Sequence, residues 1–295
     1  MNEMSPRWRI DTASSWSDLQ ELLFDGSWNE GLGRFRSPWA FRGLSESSYP
    51  LSTTLMRLGG DYAALERHLL RNFMKYAHRD VVERDSYWHW LTVAQHHGLP
   101  TRLMDWTHSP LVAMHFATAN TEKYDADGAV YCINYEKCHT QLPGSMSAVL
   151  KREGANTFTT EVLARAVKSL DDLDNQSEDP FLIFFEPPSM DDRIINQFAL
   201  FSVMSGAAVD VEHWMNEHSD ICRKVVIPAE LKWEIRDKLD QSNITERVLF
   251  PGLDGWFSIS LAVSSQRKDL IQSLRDQEAF IAFCRQSPLL GRWVG

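Results

Sequence analysis

The segment Gln95–Pro110 carries many of the side chains in this chain that could take part in chemistry. Interspersed among large apolar residues are His96, His97, Thr101, Arg102, Asp105, Thr107, His108 and Ser109. A buried charge costs several kcal/mol unless it is paired, so Arg102 and Asp105 within an apolar stretch indicate polar groups held inside a packed framework. Binding and catalytic sites are built in this way, and we therefore expect a site here.

The pair Ser109–Pro110 predicts that a helix begins at the end of this segment. A serine hydroxyl accepts hydrogen bonds from the free N–H groups of a first helical turn, and proline fits the next position because it has no N–H. A helix N-terminus also presents donors and a partial positive charge, which suit phosphate or carboxylate groups. Ser109 is therefore either only a cap or part of an anion site that includes Thr107.

Short apolar segments predict the strands that must hold this region in place. Each is bounded by glycine, proline or polar residues, and several are rich in the β-branched and aromatic side chains that strands favour. The predicted strands are Trp39–Gly43, Gly128–Tyr135, Phe181–Glu186, Leu200–Met204 and Lys224–Ile227.

Helical spacing of apolar residues predicts the flanking helices. They are Ser15–Phe24, Tyr62–His78, Asp85–His96, the run after Ser109, Ser145–Leu170, Asp192–Gln197, Ala229–Leu239 and Leu270–Phe283, with Asp171–Asp179 as an acidic loop. Strands and helices mix without strict βαβ alternation, which favours an α+β fold with a mainly antiparallel central sheet and flanking helices. We expect one domain over residues 1–295, with 256–295 as a C-terminal helical extension.

Length and composition are typical of a globular protein. The 295 residues are 43% hydrophobic and include 11 tryptophans and 15 phenylalanines, enough for a substantial core. We find no apolar run of membrane-spanning length and no signal-peptide core, so we expect a cytoplasmic protein without a membrane partner. The net charge of −10 argues against broad nonspecific nucleic-acid binding.

The four cysteines do not have the spacing of a metal site. Cys132 and Cys138 are too far apart for a close zinc-binding pair, and Cys222 and Cys284 stand alone. We therefore expect free thiols in a reducing compartment and no metal. Glycine-rich nucleotide motifs and the nucleophile motif of hydrolases are also absent from the sequence.

Three blocks of the sequence resemble the FRG domain family. The first is Phe41-Arg42-Gly43, followed by Tyr49-Pro50-Leu51, Leu55 and Arg57. The second runs from Gln95 to Ala117 and resembles the family's central motif almost position for position, and the third runs from Arg193 to Phe201. The resemblance as a whole is expected to span about residues 15–255. The length of the central motif makes the resemblance specific, whereas the tripeptide alone would not.

The layout is also similar, more distantly, to the ADP-ribosyltransferase fold class, which implies NAD as a substrate. In the Arg-Ser-Glu branch of that class an arginine contacts NAD, a Ser/Thr element lines the nicotinamide ribose, and a late glutamate steers the transfer. The resemblance implies these roles for Arg42, for Thr107 with Ser109, and for Gln197. The glutamine is a departure, because it accepts a hydrogen bond but supplies no charge, a loss on the order of 10²–10³ in rate. Glu186 restores the carboxylate if it faces the same cleft.

The resemblance implies a larger set of NAD-contacting residues, for which structural roles stay open. The set is Arg42, Gly43, His97, Arg102, Asp105, Trp106, Thr107 and Ser109. Arg42 either binds the ligand or pairs with a carboxylate such as Asp105, because the guanidinium fork serves both. Asp105 either takes part directly, or forms a structural ion pair with the nearby Arg102, or caps a turn. His97 and Trp106 are either site residues or ordinary packed side chains.

Two functions from different classes are compatible with the sequence. The first is an NAD-dependent ADP-ribosyltransferase or NAD glycohydrolase, acting as a toxin or defence effector on an unknown macromolecular acceptor. The second is a non-catalytic module that recognises a nucleotide or a peptide in the same cleft. In both, we expect Arg42, Thr107, Ser109 and Gln197 to converge on that cleft.

Overall fold

The computed structural model describes residues 6–77 and 86–251. The chain divides into two compact units, Met1–Ile244 and Thr245–Gly295. The predicted helix Leu270–Phe283 and the predicted extension 256–295 lie outside the described residues. In the second unit, the described part contains the short helix Glu246–Leu249.

The first unit is built around one eight-stranded sheet, and a separate two-stranded ribbon accompanies it. In chain order the strands are β1 (Arg9–Thr12), β2 (Trp28–Asn29), β3 (Arg34–Phe35), β4 (Trp39–Leu44), β5 (Met104–Thr107), β6 (Gly128–Asn134), β7 (Phe158–Thr159), β8 (Leu182–Glu186), β9 (Ala199–Met204) and β10 (Cys222–Ile227). The order across the large sheet is β1-β10-β6-β4-β5-β9-β8-β7, and β2 pairs with β3. All five predicted strands lie in the large sheet and are confirmed.

The sheet is mixed, so the prediction of a mainly antiparallel sheet is wrong at both edges. The pairings from β10 across to β8 are antiparallel, but β1 runs parallel to β10 and β7 runs parallel to β8. Two short helices connect β7 to β8, the kind of crossover that a parallel pair needs. This crossover could not be predicted from the sequence, because β7 is only two residues long and too short to show a strand pattern.

The helices of the first unit flank the sheet. They are α1 (Trp16–Phe24), α2 (Tyr62–Ala77), α3 (Tyr87–His96), α4 (Pro110–Thr118), α5 (Tyr135–His139), α6 (Gly144–Glu153), α7 (Thr160–Ala166), α8 (Leu170–Asp174), α9 (Asp192–Asn196), α10 (Val211–Glu217) and α11 (Lys232–Gln241). Single 3₁₀ turns lie at Met56–Leu58, Thr121–Lys123, Ser219–Ile221 and Ala229–Leu231. Among the described helices, none is long and apolar enough to cross a membrane.

Capping residues explain where several helices begin. The hydroxyls of Ser15 and Ser109 accept hydrogen bonds from the first turns of α1 and α4, which confirms both predicted starts. The predicted helix Ser145–Leu170 is wrong, because α6 ends at Glu153, before Gly154 with φ 63°, and Thr159 caps a new helix, α7. The predicted loop Asp171–Asp179 likewise begins inside α8.

Alternating side chains of the central strands fill two apolar layers. On β6, Val130 and Cys132 pack in a layer with residues of α1, α4 and α11, whereas Tyr131 and Ile133 pack in a layer that contains Trp214 of α10. This alternation follows from the two-residue period of a strand. Because both faces of β6 are covered, its sequence is an almost continuous run of apolar residues.

Gly43 of β4 allows helix α4 to lie directly against the sheet. A Cβ atom at this position would overlap the carbonyl group of Ala113 and lie 2.8 Å from the backbone nitrogen of Ala117. Both obstacles are backbone atoms, which cannot move aside as a flexible side chain can. The glycine next to Arg42 thus sets the distance between β4 and α4.

We expect Gly43→Ala to destabilise the protein by about 1–3 kcal/mol, because the added methyl group must push α4 off the sheet. Urea-induced unfolding measures the change. Gly31→Ala is the matched control, since the nearest atom to an added Cβ there is 3.5 Å away, and its effect should stay within about 0.5 kcal/mol. Equal effects of the two variants would contradict the packing argument.

His139 joins α5 to the central sheet as a buried neutral imidazole. Its Nδ1 lies 2.8 Å from the carbonyl oxygen of Asn156, and its Nε2 lies 2.9 Å from the backbone nitrogen of Phe184. A carbonyl only accepts and an amide N–H only donates, so Nδ1 carries the proton and Nε2 has none. Burial lowers the pKa of His139 from 6.5 to about 4, and the hydrogen bond to Asn156 opposes this shift.

Stability should therefore fall as the pH is lowered from about 6.5 towards 4. The unfolded chain binds a proton in this range and the folded chain does not, so unfolding takes up a proton. Over the whole range this lowers the free energy of unfolding by roughly 3 kcal/mol. Unfolding free energies of the wild type and His139→Gln, measured from pH 7 to pH 4, should converge. His213→Gln, at a side chain that is 66% exposed, is the control variant, and its effect on the unfolding free energy at pH 7 should stay within about 0.5 kcal/mol.

Candidate functional site

A cavity of about 360 Å³ opens where strands β4 and β5 diverge. The two strands share the single registered pair Phe41–Thr107, and no further pair is formed beyond it in the described strands. The volume of the cavity is in the range of small-molecule sites. The cavity is lined by Phe41, Arg42, Gly43, Thr54, Gln95, His96, Gly98, Leu99, Asp105, Trp106, Thr107, Phe116, Arg193, Ile194, Gln197, Ala199 and Phe201.

Arg42 is the central cation of this cavity. Its side chain is 17% exposed, its Nη1 donates to the backbone carbonyl oxygen of Asp105 over 2.5 Å, and the same nitrogen lies 3.9 Å from the Asp105 carboxylate. Its buried Nε has no hydrogen-bond partner among the described residues. Burial lowers the pKa of the guanidinium, the Asp105 carboxylate opposes the shift, and Arg57 adds to it. An arginine stays charged in proteins, so this site holds a positive charge with an unused donor.

Asp105 presents its carboxylate from β5, and its side chain is 61% exposed. The amide nitrogen of Gln95 donates to both carboxylate oxygens over 3.3 and 3.2 Å. The hydroxyl of Thr101 in turn donates to the side-chain oxygen of Gln95 over 2.5 Å. The carboxylate is therefore held by a chain of neutral groups rather than by a close ion pair.

Helix α9 forms the opposite wall, and His96 ties it to the end of α3. Nε2 of His96 lies 2.8 Å from a carboxylate oxygen of Asp191, which also caps α9. Burial lowers the pKa of His96, Asp191 raises it, and Arg193 lowers it. This link brings Arg193 and Gln197, one helical turn apart, to the cavity.

Thr107 joins the α9 wall to the start of α4. Its hydroxyl donates to the backbone carbonyl of Gln197 over 2.7 Å and accepts from the backbone nitrogen of Ser109 over 3.0 Å. Phe198, just after Gln197, has φ 47°, a conformation that costs a non-glycine residue roughly 1–2 kcal/mol. The Thr107 hydroxyl and the backbone conformation of Phe198 together fix Gln197 at the cavity wall.

The structure brings together only part of the predicted set. Arg42, Gly43, Asp105, Trp106, Thr107 and Gln197 line the cavity, whereas His97, Arg102 and Ser109 do not. Ser109 accepts the N–H of Val112 over 3.4 Å as a helix cap. Trp106 is 3% exposed and donates to the hydroxyl of Ser202, so most of its ring belongs to the core.

Arg102 forms a buried ion network away from the cavity, so the predicted Arg102–Asp105 pair is wrong. Its guanidinium lies 2.6 Å from a carboxylate oxygen of Glu66, which is 2% exposed, and 2.5 Å from one of Asp174. These partners come from α2 and α8, far along the chain in both directions. Spacing suggested the neighbour in sequence, but folding supplied two carboxylates from elsewhere.

We expect Arg102→Met to destabilise the fold by about 3–5 kcal/mol, because it leaves the buried Glu66 carboxylate without its cation. Urea-induced unfolding measures this loss. The double variant Arg102→Met/Glu66→Leu should recover much of it, since the unpaired charge is removed. The pairing argument would be wrong if the loss of unfolding free energy in the double variant equalled or exceeded the sum of the losses in the two single variants.

Glu186 does not supply the missing carboxylate. It is exposed, lies 3.7 Å from Nε2 of His108, and is not among the residues that line the cavity. Sequence reasoning also missed Gln95 and Arg193 as cavity residues, although both belong to the quoted motifs. The four-residue spacing between Arg193 and Gln197 on one predicted helix was the available signal. Among the described residues, no cluster of His, Cys, Asp and Glu is suited to a metal ion.

The fold and site define a mixed α/β protein with a ligand-sized cavity in its central sheet. The family model of the FRG domain matches residues 37–126, which confirms the resemblance over this segment, a shorter stretch than the predicted 15–255. The segment contributes Arg42, Gln95, Asp105 and Thr107, whereas the α9 wall lies beyond it. Neither the curated proteins nor the solved structures contain a significant match to the chain.

Proposed function

We propose that the protein is an NAD-consuming enzyme of the FRG type, an ADP-ribosyltransferase or NAD glycohydrolase with an ADP-ribosyltransferase-like fold. The observation that carries the proposal is the convergence of Arg42, Thr107 and Gln197 on one cavity. These residues come from three separate segments, matching the order in which that fold class supplies its arginine, Ser/Thr and late polar residue.

The arginine supports an anionic ligand. Arg42 is held by one guanidinium nitrogen, and its Nε keeps an unused donor in a buried position. A phosphate oxygen is the partner such a donor favours, because charge-assisted hydrogen bonds are about twice as strong as neutral ones. Arg193 adds a second cation on the facing wall.

The apolar walls suit the rest of a nucleotide. Phe41, Leu99, Phe116, Ile194 and Phe201 surround the polar groups. Apolar lining with a few placed polar groups is typical of small-molecule sites, in which the polar groups fix orientation. We propose that a nicotinamide ribose lies near Thr107 and Gln197, and a phosphate near Arg42.

A specific observation favours the alternative of a module that binds without turnover. Glutamine stands where the resemblance requires glutamate, and among the described residues no glutamate lines the cavity. A glutamine accepts the ribose hydroxyl but does not stabilise a developing cation by charge. Such a module would bind NAD or a related nucleotide and release no nicotinamide.

The cellular setting we propose is a toxin or defence effector in the cytoplasm, with a macromolecular acceptor still to be found. Consumption of NAD harms the cell in which it happens, which suits either role. Cys132, Cys138 and Cys222 are free and buried, as expected of thiols in a reducing compartment.

Nicotinamide release from NAD by the purified protein tests the proposal. We expect release by the wild type, and about a 10–100-fold loss of kcat/KM in Arg42→Ala, because a charge-assisted bond to phosphate contributes about 1.5–3 kcal/mol. Arg152→Ala, at an exposed arginine outside the cavity, is the matched control and should keep full activity.

Calorimetry with NAD on the same samples separates the two functions. Binding that depends on Arg42 without release of nicotinamide, also in the presence of cell extract as a source of acceptors, would favour the recognition module. No binding and no release would reject both.

A further inference from the structure

The cavity contains a carboxylate that the resemblance did not place in a catalytic role. Asp105 is the one acidic residue among those that line it in the described part of the chain. Gln197 has no charge, and Glu186 lies outside the lining. If the cavity cleaves NAD, the negative charge facing the reacting ribose has to come from Asp105.

The Asp105 carboxylate is available to a ligand. Arg42 bonds to the backbone carbonyl of Asp105 over 2.5 Å, while its nearest nitrogen stays 3.9 Å from the carboxylate. A close bidentate ion pair would occupy both oxygens, but among the described residues Gln95 alone donates to them, through one amide nitrogen. A carboxylate has about four acceptor positions, so several are left for the ligand.

The orientation of Gln95 is set by Thr101, which is 1% exposed. The Thr101 hydroxyl oxygen accepts the backbone N–H of Leu103 over 3.1 Å, so its proton is directed to the side-chain oxygen of Gln95 at 2.5 Å. The amide nitrogen of Gln95 must then face Asp105. The backbone of Thr101 is itself held by the hydroxyl of Thr54. The relay runs from the packed interior to the cavity.

We propose that Asp105 is the catalytic carboxylate of this site and that Gln95 and Thr101 position it, an inference that rests on the proposed function. Asp105 accepts a hydrogen bond from a hydroxyl of the nicotinamide ribose. As the bond between C1′ and the nicotinamide nitrogen breaks, its electron pair leaves with the ring, which becomes neutral nicotinamide. The positive charge that develops on the ribose is stabilised by the carboxylate.

The reaction is completed by a nucleophile. A water molecule, or a hydroxyl or amine of the acceptor, forms the new bond to C1′ and loses a proton to solvent or to Asp105. The products are nicotinamide, one proton, and either free ADP-ribose or ADP-ribosylated acceptor. This assignment accounts for the missing glutamate, since the negative charge is supplied by Asp105 on β5 rather than by a residue of the α9 wall.

Steady-state nicotinamide release by Asp105→Asn tests the assignment. We expect kcat to fall on the order of 10²–10³-fold with KM changed less than about threefold, because the amide keeps the contact and loses the charge. Glu186→Gln is the control at the carboxylate that the sequence suggested, and it should behave like the wild type. Thermal unfolding verifies that Asp105→Asn is folded, as an exposed side chain predicts, and Asp105→Glu, which keeps the charge, should retain part of kcat.

The positioning role is tested with Thr101→Val, which keeps the shape and removes the hydroxyl, against Thr101→Ser, which keeps the hydroxyl. We expect a loss of kcat without a rise in KM in Thr101→Val, and recovery in Thr101→Ser. An active wild type with kcat of Asp105→Asn within threefold would overturn the assignment of Asp105 and leave the proposed function standing. A wild type that releases no nicotinamide would overturn both.

Discussion

The interaction on which the site depends is the bond from Arg42 to the backbone carbonyl of Asp105. Strands β4 and β5 share a single registered pair, and beyond it the ladder is open. A carbonyl at such a point lacks a strand partner, and leaving it unpaired would cost about 1–3 kcal/mol. The guanidinium supplies the missing donor and spans the gap. This hydrogen bond satisfies the free carbonyl of β5, and it also places the Arg42 guanidinium and the Asp105 carboxylate at the opening of the cavity.

The remaining parts of the site follow from this opening. Gly43 lets α4 lie against β4, and Thr107, the last residue of β5 and three residues before α4, lines the cavity. Thr107 in turn fixes Gln197, and the contact between His96 and Asp191 holds α9 across the gap. Each contact joins segments that are distant in sequence. Loss of one would change the separation of the walls before it changed the chemistry of any single group.

The segment that matches the FRG domain forms only part of the cavity. Residues 37–126 include the two diverging strands and the relay to Asp105, but the wall with Arg193 and Gln197 comes from α9. Variation in α9 would alter what the cavity accepts without disturbing the arginine and carboxylate. The FRG segment thus holds the charged groups, and the later segment shapes the space around them.

Local chemistry let the sequence by itself determine several of the central strands and the starts of two helices. Apolar strands such as Phe181–Glu186 and capped starts such as Ser15 and Ser109 depend on neighbours within a few residues, and these predictions are confirmed. The tripeptide with Arg42 and the motif with Asp105 and Thr107 also identified residues that meet at the cavity. The parallel edges could not be predicted, because the partner of an edge strand depends on a crossover rather than on the strand's own side chains.

Ion pairing was decided by the tertiary structure alone. Arg102 and Asp105 are neighbours in sequence, yet Arg102 turns inwards to Glu66 and Asp174, while Asp105 turns outwards to Gln95. Arg102 lies two residues before β5 and Asp105 lies within it, so no shared strand fixes the relative directions of the two side chains. A buried guanidinium needs carboxylates close by in space, wherever they stand in the chain, and only the folded structure brings them there.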